Sequence, residues 1–181
     1  MKRILITGVF ASGKSTLIQM IKIELEKLGK KVFVFNEVAR ECPLNLNYEQ
    51  NLLTTSWLVM RQMENEISKL NKEYDFVIFD RGLPDIVAHT RVIISSKNED
   101  SIFYEKLKEL GEASLKSFDY VFLSLMSEKF QIQTDGLRVN DPCYQHRLES
   151  IHTDYLRDTR CKFETLLEVN NERLIQVLSI I

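Results

Sequence analysis

Eight consecutive residues near the start of the chain, Gly8-Val9-Phe10-Ala11-Ser12-Gly13-Lys14-Ser15, fit the pattern G-x-x-x-x-G-K-[ST], and Thr16 follows them. Each residue type has a reason to be there if the segment holds a polyphosphate. Glycines let the main chain wrap so that its N–H groups point at phosphate oxygens, and a helix starting at the lysine presents its positive end to the same anion. On this reading Gly8, Ala11, Ser12, Gly13, Lys14, Ser15 and Thr16 form the nucleotide site. Lys14 reaches the terminal phosphates, Ser15 offers its hydroxyl to Mg²⁺, and Thr16 supports the helix start.

Three further groups of residues have types suited to the same chemistry. Asp80 closes the apolar run Phe76 to Phe79, where a carboxylate beside the loop would orient Mg²⁺ directly or through water; its plainer role is to cap a turn and pair with Arg81. Glu37 follows a β-rich run, with Arg40 one helical turn later. Glu37 could take the proton of an acceptor hydroxyl or simply pair with Arg40 at a helix start. Arg138, in the turn-rich stretch from Asp135 to Pro142, and Arg147 beyond it could close over a transferring phosphate, since guanidinium offers a rigid fork of donors. Surface ion pairs are the competing role for both arginines.

The remaining polar candidates read as structural. Cys42, Cys143 and Cys161 have no metal-type spacing with one another or with His89, His146 and His152, so the cysteines read as free thiols and the histidines as solvated or core-edge. Trp57, Met60 and Met63 at helical spacing read as core.

The elements that must position these residues follow from hydrophobic periodicity. Ile4 to Ile6 form a strand ahead of the glycine-rich loop, and Leu17, Ile21, Leu25 and Leu28 recur at helical spacing after it. Val32 to Phe35 make a second strand after the stop at Gly29. Tyr48 to Lys72 reads as a long helix with Leu53, Trp57, Met60 and Ile67 on one face. The unbroken run Phe76 to Phe79 predicts a strand buried on both sides. Pro84 starts another helix, and a further one carries Phe103, Leu107 and Leu110. Asp119 to Leu125 is a fourth strand. Asp141-Pro142 starts a helix bearing Tyr144, Leu148, Ile151 and Tyr155, before a last strand within Phe163 to Val169 and a closing helix over Leu174 to Ile181.

Strands alternating with helices, with no composition break, predict one α/β domain over 1–181 with three layers, a mainly parallel five-stranded sheet and a small lid at about 127–147. In such sheets ligands collect at the carboxyl ends of the strands. A net charge of -2 gives no broad cationic field, which argues against nucleic acid as partner. No apolar run approaches membrane length, so the expectation is a cytoplasmic protein with no membrane partner, and a homodimer is left open.

The chain resembles the small AAA-domain family of P-loop kinase-like proteins that includes the ribosylnicotinamide kinase part of the bacterial NAD regulator. The resemblance rests on Gly8 to Thr16, Glu37-Val38-Ala39-Arg40, Asp80-Arg81-Gly82-Leu83-Pro84-Asp85 and Asp135-Gly136-Leu137-Arg138. It implies a P-loop NTPase fold, ATP and Mg²⁺ as cofactors, Glu37 near an acceptor and Arg81 near phosphate. The DNA-binding and adenylyltransferase parts of that regulator have no counterpart in this sequence. The expected activity is transfer of the γ-phosphoryl of ATP to a small nucleoside-like or metabolite acceptor, with Lys14, Glu37, Asp80, Arg81 and Arg138 as the catalytic set. A regulatory ATPase or GTPase switch is the alternative, weakened because Asn71-Lys72-Glu73-Tyr74 lacks the aspartate of a guanine-reading N-K-x-D segment.

Overall fold

A computed structural model describes residues 1–68, 73–94, 98–130 and 141–181. Its centre is β1 (Lys2–Gly8), in which Ile4, Leu5 and Ile6 are fully buried. A strand with no polar side chain over that stretch must be covered on both faces, as parallel sheets are. It pairs in parallel with β3 (Phe76–Asp80) on one side and β4 (Tyr120–Ser124) on the other. β2 (Val32–Phe35) adds outside β3, and the two-residue β5 (Glu164–Thr165) outside β4. The sheet order is β2-β3-β1-β4-β5, five parallel strands as expected.

Alternation along the strands divides the core into two layers. Ile4, Ile6, Ile78 and Phe122 face α1 (Lys14–Lys27) and α6 (Asn170–Ile180), meeting Leu17, Ile18, Ile21 and Val177. Leu5, Val77, Phe79, Val121 and Leu123 face the other way, toward Leu115 and Leu156. Those two leucines belong to α4 (Asn98–Leu115) and α5 (Pro142–Asp158). The remaining helices, α2 (Leu52–Ile67) and α3 (Leu83–Ile93), join a neighbouring cluster in which Leu58, Leu83, Ile86 and Val87 meet Leu107 and Tyr155.

Helix boundaries follow their caps. Asn51 accepts hydrogen bonds from the N–H groups of Leu53 and Thr54, so α2 begins at Leu52, not Tyr48; Asn47–Glu49 is a separate single turn. Asp141 caps α5 through Cys143 and Tyr144, with Pro142 in the first turn. The last strand is shorter, and the closing helix earlier, than periodicity indicates, because strand pairing to β4 lasts for only two residues.

One side of α2 contradicts its apolar pattern. Leu53, Met60 and Ile67 are 69%, 72% and 73% exposed, while Thr54, Thr55, Gln62 and Glu66 are buried beside Leu58. The inward side chains are satisfied: Gln50 donates to Thr55, Gln62 to Glu66, and Ser114 to Glu66. Met60 is therefore not core, and Trp57 and Met63 only border the cluster. Among the described residues no helix is long and apolar enough to cross a membrane.

Candidate functional site

The loop between β1 and α1 is built on two left-handed glycines. Gly8 has φ +127°, and a Cβ there would lie 2.2 Å from the carbonyl oxygen of Ser124; Gly13 has φ +80° and its Cβ would meet the Phe130 ring at 2.6 Å. Ala11 also takes positive φ, at 53°. Only glycine lets β1 and β4 approach this closely while the chain turns. The loop then opens α1, whose first residue is Lys14.

Lys14 is buried and its ammonium donates to the carbonyl of Val9 and to Ser12 Oγ, 3.1 Å away. Burial, reinforced by Arg81, pulls its pKa down to about 7 against the opposing carboxylates Asp80, Asp85 and Glu37. Ser15 Oγ donates to Asp80 Oδ2 at 2.7 Å, joining the start of α1 to the end of β3. Asp80 Oδ1 is buried with no hydrogen-bond partner among the described residues. Burial raises the Asp80 pKa, which the nearby Lys14 and Arg81 oppose.

An orphaned carboxylate oxygen beside a serine hydroxyl fits a divalent cation that takes its other ligands from phosphate and water, the usual habit of Mg²⁺. Among the described residues no group of three His, Cys, Asp or Glu would hold a metal alone.

Glu37 and Arg81 meet at the ends of β2 and β3. Arg81 Nε is 2.6 Å from Glu37 Oε1, an ion pair without hydrogen-bond alignment, and Arg40 Nε is 3.5 Å from Glu37 Oε2. Arg81 is one of few non-glycine residues with positive φ, 73°, a conformation that costs energy and aims its side chain back over the sheet ends. Its guanidinium donates to the Gly8 carbonyl at 2.7 Å and to Asp85 Oδ1 at 3.1 Å. Burial works against charge on both groups, but Arg81, then Lys14 and Arg40, hold Glu37 below the usual carboxylate range. Glu37, Asp85 and Asp80 in turn keep Arg81 firmly protonated.

Beneath these groups lies a buried hub that the sequence reading passed over. Asp85 accepts from the N–H of Gly8 at 3.1 Å, the N–H of Gly82 at 2.9 Å and the hydroxyl of Thr7 at 2.6 Å. His152 Nε2 lies 2.9 Å from Thr7 Oγ1; because that hydroxyl already donates to Asp85, the histidine is the donor. His152 is thus a core residue at the site, not a solvated or edge one; it is 2% exposed. Burial lowers its pKa to about 4 and that of His89 to about 3. His146 is exposed, as expected.

Two cavities open on this cluster. The first is polar and runs along the loop past Lys14, Ser15, Thr16 and Asp80 to Phe130. The second is mostly apolar, walled by Phe10, Val38, Leu58 and Ile86, with Gln62 and His89 among its polar groups. Both are lined by Glu37, Arg40 and Arg81. The structure therefore gathers Gly8, Ala11, Ser12, Gly13, Lys14, Ser15, Thr16, Glu37, Arg40, Asp80 and Arg81 in one place. It does not bring Arg147 there: that residue is exposed on α5 and lines neither cavity. Arg138, with 131–140 of the expected lid, lies outside the described residues.

Residues 3–173 match the model of the family described as AAA domain. The chain belongs to the AAA domain family. Two solved structures of deoxyadenosine kinase from M. mycoides share the fold of this AAA domain. One, with the products dCMP and a flexible dCDP bound, superposes with TM-score 0.72 at 19% identity over 98% of this chain and 97% of that one. The other, with dATP bound, has TM-score 0.68 at 19% identity over 99% of both chains. No curated protein sequence matches the chain significantly. The five-stranded parallel AAA domain described above thus has the three-layer α/β P-loop NTPase fold expected from sequence, shared with those two structures.

Proposed function

We propose that the chain is an ATP- and Mg²⁺-dependent phosphotransferase acting on a nucleoside-like acceptor, with residues 1–181 serving as one domain. The observation that carries this reading is the junction of the two cavities at Glu37, Arg40 and Arg81. A protein that only hydrolyses a nucleotide has no use for a second, apolar cavity opening at the terminal phosphate. A kinase needs both cavities, with a carboxylate and a fixed cation where they meet. The solved relatives, deoxyadenosine kinase with bound nucleotides, add support for a nucleoside in the second cavity.

In this reading the main-chain amides of the loop and Lys14 hold the β- and γ-phosphates. Ser15 and Asp80 would hold Mg²⁺, which when bound would neutralise phosphate charge. Glu37, kept ionised by Arg81, Lys14 and Arg40, accepts the proton of the acceptor hydroxyl as that oxygen attacks the γ-phosphorus, while the bond from the γ-phosphorus to the β,γ-bridging oxygen breaks and ADP leaves with that oxygen. Arg81, locked by Glu37, Asp85 and the Gly8 carbonyl, stays charged where negative charge gathers on the transferring group. The apolar walls around Phe10, Val38 and Leu58 enclose a flat, partly apolar group, and Gln62 and His89 supply polar contacts to its edge.

The test is incubation with Mg-ATP and a panel of deoxyribonucleosides, ribonucleosides and nicotinamide riboside, with products read by mass spectrometry. The expected result is one acceptor class gaining a single phosphoryl group. ATP consumption with no phosphorylated acceptor anywhere in the panel would replace this reading with a regulatory hydrolase.

A further inference from the structure

The phosphate loop is held from behind by α6, an element that carries no recognised motif. Arg173 on that helix is 1% exposed. Its Nη1 donates to the Ser12 carbonyl at 2.5 Å and to Ser124 Oγ at 3.1 Å; its other donors go to the carbonyls of Leu125 and Leu167. Ser124 Oγ also donates to the Ser12 carbonyl, at 2.9 Å. One turn earlier, Asn170 Nδ2 donates to the Gly13 carbonyl at 3.2 Å. The Phe130 ring lies 4.9 Å from the guanidinium and packs where a Cβ on Gly13 would sit.

Peptide geometry turns these contacts into a constraint on the ligand side of the loop. In a trans peptide the carbonyl and the following N–H point in opposite directions, and the chain contains no cis peptide bond among the described residues. Fixing the Ser12 carbonyl toward α6 therefore aims the Gly13 N–H away from it, into the cavity lined by Lys14, Ser15 and Thr16; the Gly13 carbonyl also accepts from the Leu17 N–H of α1, so there Asn170 reinforces a direction of the Lys14 N–H that α1 already sets. Among the described residues the hydrogen bonds of Arg173 go to neutral oxygens, and Glu168 opposes its charge without a hydrogen bond, so part of that positive charge remains in the field felt by an anion there.

We infer that Arg173, assisted by Asn170, is a positioning residue that presents the loop amides to a polyphosphate. The inference rests on the phosphate-binding reading of the loop and adds to it a residue far outside the motif. A role confined to packing α6 would lower stability and leave the polyphosphate affinity of the folded protein unchanged; positioning the amides lowers that affinity in protein that is still folded.

The decisive experiment is calorimetric titration of wild type, Arg173→Lys, Arg173→Met and Asn170→Ala with Mg-ATP and with Mg-tripolyphosphate, alongside urea unfolding and the amide NMR signal of Gly13. Arg173→Met is expected to weaken both ligands in parallel by roughly 30-fold, Asn170→Ala by about threefold to tenfold, with partial recovery in Arg173→Lys and a displaced Gly13 signal. Should Arg173→Met not fold, Asn170→Ala decides, since its side chain is half-buried at a helix start. Folded variants that bind both ligands as wild type does would overturn the inference while leaving nucleotide binding standing. Failure of wild type itself to bind either ligand would remove both.

Discussion

Glu37 and Arg81 stand with Oε1 and Nε 2.6 Å apart, tying the end of β2 to the end of β3 at the place where the two cavities meet. Because Asp85 also holds Arg81, at 3.1 Å, neutralising Glu37 does not leave the arginine alone. Glu37→Gln should therefore fold and bind Mg-ATP normally while kcat falls on the order of 10²- to 10⁴-fold, as loss of a general base does. Steady-state kinetics paired with calorimetry would check this; unchanged kcat would reassign the base.

Lys14 has a pKa of about 7 before an anion arrives, chiefly through burial. A polyphosphate beside it favours the charged form and raises that value. Binding of Mg-ATP at pH 8 should thus take up a proton, and affinity should fall by up to about tenfold per pH unit above 7. Titrations in buffers of different ionisation heat measure the uptake directly. A proton count of zero at pH 8 would mean that Lys14 stays fully charged in the free protein.

His89 and His152 are held neutral, at about 3 and about 4 against an ordinary value of 6.5. The unfolded chain binds protons at these sites that the folded chain does not, so stability is fully present above pH 6.5. It should decline as the pH falls from there through the folded values, by up to about 1.4 kcal/mol per pH unit for each histidine. Urea midpoints at pH 7 and pH 5 test this. His152→Gln should flatten the slope, and an equal slope in that variant would count against the assignment.

Gly8 combines a φ of +127° with a 2.2 Å approach of a would-be Cβ to the Ser124 carbonyl. Gly8→Ala forces β1 and β4 apart in addition to straining the turn. The expected cost is about 3 kcal/mol or more, visible as a lowered thermal midpoint. A change below about 1 kcal/mol would show that the strands are less closely held than described.

How far the sequence reveals the molecule depends on what each residue answers to. The glycine-rich loop and the central strands are legible because Gly8, Gly13 and Lys14 obey local geometry, and Ile4 to Ile6 and Phe76 to Phe79 have nowhere to go but a doubly covered sheet. Helix α2 is misread because periodicity locates an apolar stripe without saying which way it faces. Its inner side carries Gln62 and Glu66, whose burial is satisfied by partners as distant as Ser114. His152 and Arg173 carry no motif at all. Their roles come from contacts with Thr7 and Ser12, residues that only the folded chain brings near.

The most direct measurement follows a labelled γ-phosphate of ATP in the presence of Mg²⁺ and a nucleoside acceptor, counting label in the acceptor against label in inorganic phosphate. Two cavities joined at Glu37 and Arg81 predict that nearly all label reaches the acceptor, and that the share drops in Glu37→Gln. Label appearing only as inorganic phosphate, at a rate indifferent to any acceptor, would contradict the account.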